Sequence, residues 1–408
     1  MTRMRCASIA TASFLVLATG LGCQSSLNLC EITQQDCQQE IYSHMLSLRG
    51  DGYDPFGGMP PTTVITEAQY RQILLQQTPS VGPWDRALDL LHFTSPAPGS
   101  APASGAGADA GNSYIDDEVA NVAAYYSSAS KSVVIVSHPS QTGEQAERNA
   151  MISLAHEFVH AMQDRELDLN ASNFQSTDAY FAYDTLIEGD ARFYELLFAN
   201  DLLYLRYNQS NIVDILDNYL YNSYMDLNQY GSSLFAARAL AYFLGARYEA
   251  VEYHSGGNAA IRHGYASEPQ RTVGFLVGMD GVAPPVGSGN ACPAPAASLA
   301  PSNTINGMDE FGALLFYAYL RGWGTNHDTA LTTAQSWVGD SLRVQATNDL
   351  STTAVAWHIE LSAPPPAAII NDLTATGELT VTTTANGFTI TVSDSQSPLT
   401  WTAVDNCP

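Results

Sequence analysis

Two histidines four residues apart with a glutamate beside the first, in the pentapeptide HEFVH at His156, Glu157 and His160, are equipped for metal chemistry. On a helix, positions i and i+4 lie one above the other, so both imidazoles can share one zinc ion. Glu157 is turned about 100° from His156, beside such an ion and off the axis joining the two rings. That position suits a general base acting on water at the metal. Catalytic zinc usually takes three protein ligands and leaves a fourth position open. Glu188 is the expected third ligand.

This constellation requires two helices. Residues 144–165 contain neither Gly nor Pro, and Met151, Leu154, Ala155, Phe158 and Met162 recur at helical spacing. A second helix is predicted over residues 176–201 from Tyr183, Leu186, Ile187, Tyr194 and Leu197, with a loop at 167–175 folding it back on the first. Asp164, Asp184 and Asp190 are candidates for the carboxylate that hydrogen-bonds a zinc histidine and fixes its tautomer.

HEFVH followed by LIEGDA resembles the gluzincin group of zinc metallopeptidases, in which two histidines come from one helix and a glutamate from the next. More closely, the chain is similar to bacterial lipoproteins that read, in order, an aromatic strand pair, HExxHxxQD, EGxA and W-x-GD. Here these stand as AAYYSSASKSVVIVS at 123–137, HEFVHAMQD at 156–164, EGDA at 188–191 and WVGD at 337–340, so the resemblance spans about residues 123–358. It implies zinc-dependent hydrolysis of peptide bonds in a peptide or protein substrate, with Glu157 as the base. The implied fold is α+β: a zincin-like, mainly helical catalytic domain with a small edge β-sheet. A strand near 123–137 would line the cleft and receive substrate by strand addition. An oxyanion donor is implied downstream, where Tyr230, His254, His263 and Tyr265 lie. The chain departs from the gluzincin pattern at Arg192, where an acid often stands. In the metzincin pattern HExxHxxGxxH, by contrast, a glycine bends the chain toward a third ligand ten positions after the first histidine. Those positions hold Gln163 and Glu166 here. An unbroken helix carries Glu166 roughly 120° off the metal face, so it is expected to point elsewhere.

The N-terminus reads as an export signal. Arg3 and Arg5 precede an apolar run at 9–17, and Cys23 follows Gly20-Leu21-Gly22 in a sequence similar to a bacterial lipobox. Residues 1–22 are therefore expected to be a signal peptide and Cys23 a lipid anchor to the cell-envelope membrane, with simple secretion as the alternative. Cys30, Cys37, Cys292 and Cys407 then remain in an oxidising compartment, and two disulfides are expected. Cys30–Cys37 and Cys292–Cys407 is the favoured pairing, and the other two connectivities stay open. A net charge of −25 argues against nucleic acid as a partner, because phosphate backbones would be repelled.

The expected organisation is a tether at 23–49, a helical region at 50–95, a low-complexity loop at 96–112, the zinc metallopeptidase domain at 113–362 and a C-terminal β element at 363–408. The first of these regions is polar and Gln-rich. A β-hairpin is predicted from 119–126 and 131–137, and further helices at 232–243 and 309–320. The C-terminal element carries a hairpin signal at Asn386-Gly387 and is expected to be a small β appendage or a terminal sheet element. Two other functions compete: a non-catalytic surface lipoprotein using the metal helix structurally, and an amidase acting on cell-wall bonds. Glu157 argues against the first, since a structural site does not need it.

Overall fold

The segments free of Gly and Pro fold as long helices, and the alternating segments pair into small sheets. The computed structural model describes residues 27–50, 57–77, 83–93, 116, 119–169, 174–203, 212–225, 233–267, 271–277, 294–299, 304–395 and 399–402. In chain order the elements are α1 (Gln35–Leu48), β1 (Thr62–Thr66), α2 (Glu67–Gln77), α3 (Pro83–Leu90), β2 (Ala124–Ser127), β3 (Ser132–Ser137), α4 (Glu144–Leu167), α5 (Thr177–Leu203), α6 (Ile212–Met225), α7 (Ser233–Gly256), α8 (Asn258–Ser267) and α9 (Thr272–Val277). There follow β4 (Ala296–Ala297), β5 (Thr304–Asp309), α10 (Gly312–Gly322), α11 (His327–Gln335), β6 (Trp337–Thr347), β7 (Thr353–Leu361), α12 (Ala367–Thr374), β8 (Thr380–Thr383), β9 (Gly387–Ser393) and β10 (Trp401–Thr402). The class is mixed α+β, mainly helical. Among the described residues no helix is long and apolar enough to cross a membrane.

Two hydrophobic cores share the helices α5 and α7. One joins β2, β3, α1 and α4 to the C-terminal half of α5 through Phe193, Tyr194 and Phe198. The other joins the N-terminal half of α5, through Phe181 and Leu186, to α10 and the five-stranded sheet ordered β5-β6-β7-β9-β8. In that second core Trp357 is fully buried, with the rings of Phe311, Phe316 and Tyr319 around it. Between the two cores α5 and α7 cross at Gly189 and Gly245. A Cβ on Gly189 would stand 2.2 Å from the Gly245 carbonyl carbon, so only glycine permits the contact. The Gly of EGDA therefore sets how near Glu188 lies to α7.

Two expectations change. Residues 23–49 are not simply a tether: α1 buries Cys37, Ile41, Tyr42 and Met45, and Tyr42 meets Phe158 edge to face at 5.3 Å. Those positions form a narrow apolar stripe on a Gln-rich helix, which average composition conceals. Cys30 and Cys37 form a disulfide that staples the start of this helix. In the predicted hairpin, residues 119–121 are a helical turn, and the strand begins only at Ala124. Val119 is used instead to pack with Tyr70 and Val136. Of the two forms expected for the C-terminal β element, the structure has the terminal sheet element: β9 pairs antiparallel with β7 and puts Phe388 and Ile390 into the second core. The expectations for Cys23, residues 96–112 and the pairing of Cys292 with Cys407 lie outside the described residues.

WVGD also has a defined place. Asp340 accepts from the Phe311 and Gly312 N–H groups at 2.8 and 2.7 Å, at the start of α10, and from Trp337 Nε1 at 3.1 Å. It caps a helix and braces the second core, as orphan N–H groups at a helix start require.

Candidate metal centre

Helix α4 runs unbroken through HEFVHAMQD and presents His156 and His160 on one face. Helix α5 packs against it and brings Glu188 to both rings. The His156 and His160 Nε2 atoms are 3.0 Å apart, and Glu188 Oε2 lies 3.2 and 3.3 Å from them. A tetrahedral zinc ion with ligands at about 2.0–2.1 Å would hold neighbouring ligand atoms roughly 3.3–3.4 Å apart. The triangle fits one face of that tetrahedron, and it is the one such cluster among the described residues.

The other ring nitrogens are occupied. His156 Nδ1 donates to Glu195 Oε2 at 3.1 Å, and His160 Nδ1 to Gln163 Oε1 at 2.8 Å. With Nδ1 donating in each ring, the neutral form of each carries its lone pair on Nε2. Two lone pairs and a carboxylate oxygen thus converge, a donor set that calls for a cation. The electrostatics agree. Burial works against charge on either histidine, yet the Glu188 hydrogen bonds and field raise both above the ordinary value, helped at His156 by Glu195. Glu188 is lowered well below the carboxylate range despite its own burial, by His160 and His156.

Glu157 lies beside this triangle. The Tyr126 N–H donates to its Oε2 at 2.7 Å, and burial raises its pKa against the pull of both histidines. Tyr126 also reaches α4 through its hydroxyl, which donates to Asp164 Oδ2 at 2.5 Å. Strand β2 is thereby pinned to α4 at two points. It is an edge strand of the sheet β1-β3-β2. The Val136 N–H bonds Ala123 O, so in the alternating antiparallel register Ala124 and Tyr126 direct their backbone groups away from β3. A cavity of about 510 Å³ opens along this edge. Its floor is α4 from Asn149 to Glu157, and Ala239, Tyr242 and Phe243 of α7 form the facing wall. The Tyr242 ring stacks on His156 at 5.9 Å and 17°. Burial and the nearby Glu188 charge raise the pKa of its hydroxyl, keeping it protonated.

His156, Glu157, His160 and Glu188 are therefore brought together, and Glu166 is elsewhere, 3.6 Å from Arg49. None of Asp164, Asp184 and Asp190 bonds a histidine ring directly. Asp164 binds Tyr126, Lys131 and the Leu169 N–H at the end of α4. Asp184 sits near Glu188, and burial and that charge raise its pKa to about 7. Asp190 accepts from Gln163 and Arg49. The ring-orienting roles belong to Glu195 and Gln163 instead. Glu195 was legible, standing two helical turns after Glu188 on the same face. Tyr242 carried no local signal. Of the oxyanion candidates, His254 is exposed on α7, while Tyr230 and the side chains of His263 and Tyr265 lie outside the described residues. Arg192 lines the cavity, pairs with Glu195 and lies over the Phe243 ring at 5.4 Å. Compared with protein-family models, curated proteins and solved structures, the chain matches none.

Proposed function

We propose that the chain is a zinc-dependent hydrolase of peptide bonds, of gluzincin type and zincin-like architecture, exported from the cell. The observation that carries this reading is the convergence of His156 Nε2, His160 Nε2 and Glu188 Oε2, with both Nδ1 atoms engaged and Glu157 alongside. Zinc held by these three residues would supply a Lewis acid that acidifies water and polarises a carbonyl. The remaining steps fall to the protein. A peptide adds to the outward edge of β2, where Ala124 offers backbone groups beside the cavity, and lies across the site. Glu157 Oε2 is held by the Tyr126 N–H, and Oε1 has no hydrogen-bond partner among the described residues. Oε1 takes the proton of the attacking water. Its raised pKa, caused by burial, suits a base that then returns the proton to the leaving amine. The Tyr242 hydroxyl, protonated and lining the cavity against His156, offers a donor for the charge that develops on the carbonyl oxygen. The Cys30–Cys37 disulfide supports export, since such bonds persist in oxidising compartments.

The test is a screen of purified protein against peptide libraries with and without chelator, with Glu157→Gln beside it. The variant is expected to keep one zinc per chain while hydrolysis falls by roughly 10²–10⁴. Persisting activity would exclude Glu157 as the base, and sub-stoichiometric zinc after reconstitution would exclude the site.

A further inference from the structure

Gln163 is fully buried between the metal helix and α5. Its Nε2 lies 2.8 Å from Ile187 O and 2.8 Å from Asp190 Oδ2, while its Oε1 lies 2.8 Å from His160 Nδ1. The Ile187 carbonyl can only accept, so the amide NH₂ must face it. The amide oxygen then faces His160, whose Nδ1 must carry a proton, so that the neutral ring has its lone pair on Nε2. The His160 tautomer is therefore decided by which way Gln163 is turned.

Ile187 O is one half of that hold; the other, Asp190, is anchored from the N-terminal helix. Arg49, the residue after α1, is 1% exposed and donates from Nη1 to Asp190 Oδ2 at 2.7 Å, the same oxygen that receives Gln163. Its guanidinium lies 4.8 Å above the Tyr194 ring. Its place is fixed by backbone contacts: the Arg49 N–H bonds Met45 O, and Arg262 donates to Arg49 O. Asn258 anchors the same helix end by donating to Leu48 O at 3.1 Å. No residue of α1 lines the cavity, yet its end reaches the metal site through Asp190, Gln163 and His160.

We propose that Arg49 is a positioning residue of the metal site: by anchoring Asp190 it keeps Gln163 turned so that His160 presents an unprotonated Nε2. This rests on the metal-site reading above. It makes α1, stapled by its disulfide, a working part of the centre. The charge of Arg49 matters because a buried carboxylate without a cation is a poor anchor.

The experiment is a double-mutant cycle on the full chain, reading zinc affinity by chelator competition and the His160 nitrogens by ¹⁵N NMR of the metal-free protein at a pH high enough for the ring to be neutral. Arg49→Met and Gln163→Met are each expected to weaken zinc binding about 10–100-fold, the range seen when groups behind a ligand are removed. Arg49→Lys, which keeps the charge and loses the fork, should cost roughly three- to tenfold. The double variant Arg49→Met/Gln163→Met should be no weaker than Gln163→Met alone by more than about threefold, because one relay is cut once. In Arg49→Met the His160 spectrum should also shift toward a proton on Nε2. Should Arg49→Met not fold, the same cycle is run with Arg49→Lys, whose penalty must vanish in the Gln163→Met background. Unchanged affinity and tautomer in the Arg49 variants, or fully additive penalties, overturn the relay while leaving the metal site standing. A wild-type chain that binds no zinc overturns the metal reading itself.

Discussion

Removing the carboxylate behind His156 tests the metal centre at a point where its energetics can be worked out. Glu195 accepts from His156 Nδ1 at 3.1 Å and is largely buried, as is the ring. In Glu195→Ala the Nδ1–H loses its partner in a place water barely reaches, which costs about 1–3 kcal/mol. Much of that loss falls on the zinc-bound state, because binding needs this ring held in one tautomer and orientation. Zinc affinity should drop about 10–100-fold, equivalent to roughly 1.4–2.7 kcal/mol. The lost pairing with Arg192 adds little, since that guanidinium is a quarter exposed and water replaces its partner, for less than about 1 kcal/mol. Glu195→Gln keeps an acceptor for Nδ1 and should lose less than about tenfold. The assay is chelator competition at fixed pH, paired with thermal melts with and without zinc. The metal-free melts should already fall by part of the hydrogen-bond loss, because the bond is present without zinc, and the stabilisation added by excess zinc should shrink in Glu195→Ala by a further 1.4–2.7 kcal/mol or so. A zinc affinity within about twofold of wild type would refute the reasoning, as would a Gln variant weaker than the Ala variant.

Three further outcomes follow from the geometry. Glu188→Ala should weaken zinc binding by orders of magnitude and Glu166→Ala barely alter it, because only Glu188 shares the triangle with both histidines; the reverse ranking in metal titrations would sink the assignment. In the metal-free protein His156 and His160 are raised above the ordinary 6.5, so they contribute stability below that pH and lose it as pH rises through their folded values. Zinc must displace those protons, so its affinity should rise with pH by up to about 100-fold per unit in this range; a flat or falling profile between pH 6 and pH 8 would contradict it. Gly245→Ala puts a Cβ 1.8 Å from Thr185 O, a backbone clash that should cost at least about 1–3 kcal/mol and loosen zinc by shifting α5, as melts and titrations would report.

Much of the site was legible because its chemistry is local. His156, Glu157 and His160 are fixed relative to one another by the helical repeat, and the absence of Gly and Pro over residues 144–165 guaranteed the helix that carries them. Glu188 could be nominated for the same reason, from its own periodic segment. The helix hidden at Gln35–Leu48 was missed because its apolar stripe is narrow and its remaining face is Gln-rich. The C-terminal hairpin was seen, but whether it stood apart or joined the sheet depends on pairing with β7, which no local pattern encodes.

Tertiary structure alone decided what stands behind the ligands. Gln163 is near His160 in sequence, yet its amide orientation is set by Asp190 and Ile187 from the next helix, and by Arg49 from more than a hundred residues upstream. Tyr242 of α7 comes near Glu188 of α5 across a crossing that two glycines permit. Spacing along a helix determines which groups share a face; which groups meet across helices is determined by packing, where one methyl group can forbid the contact.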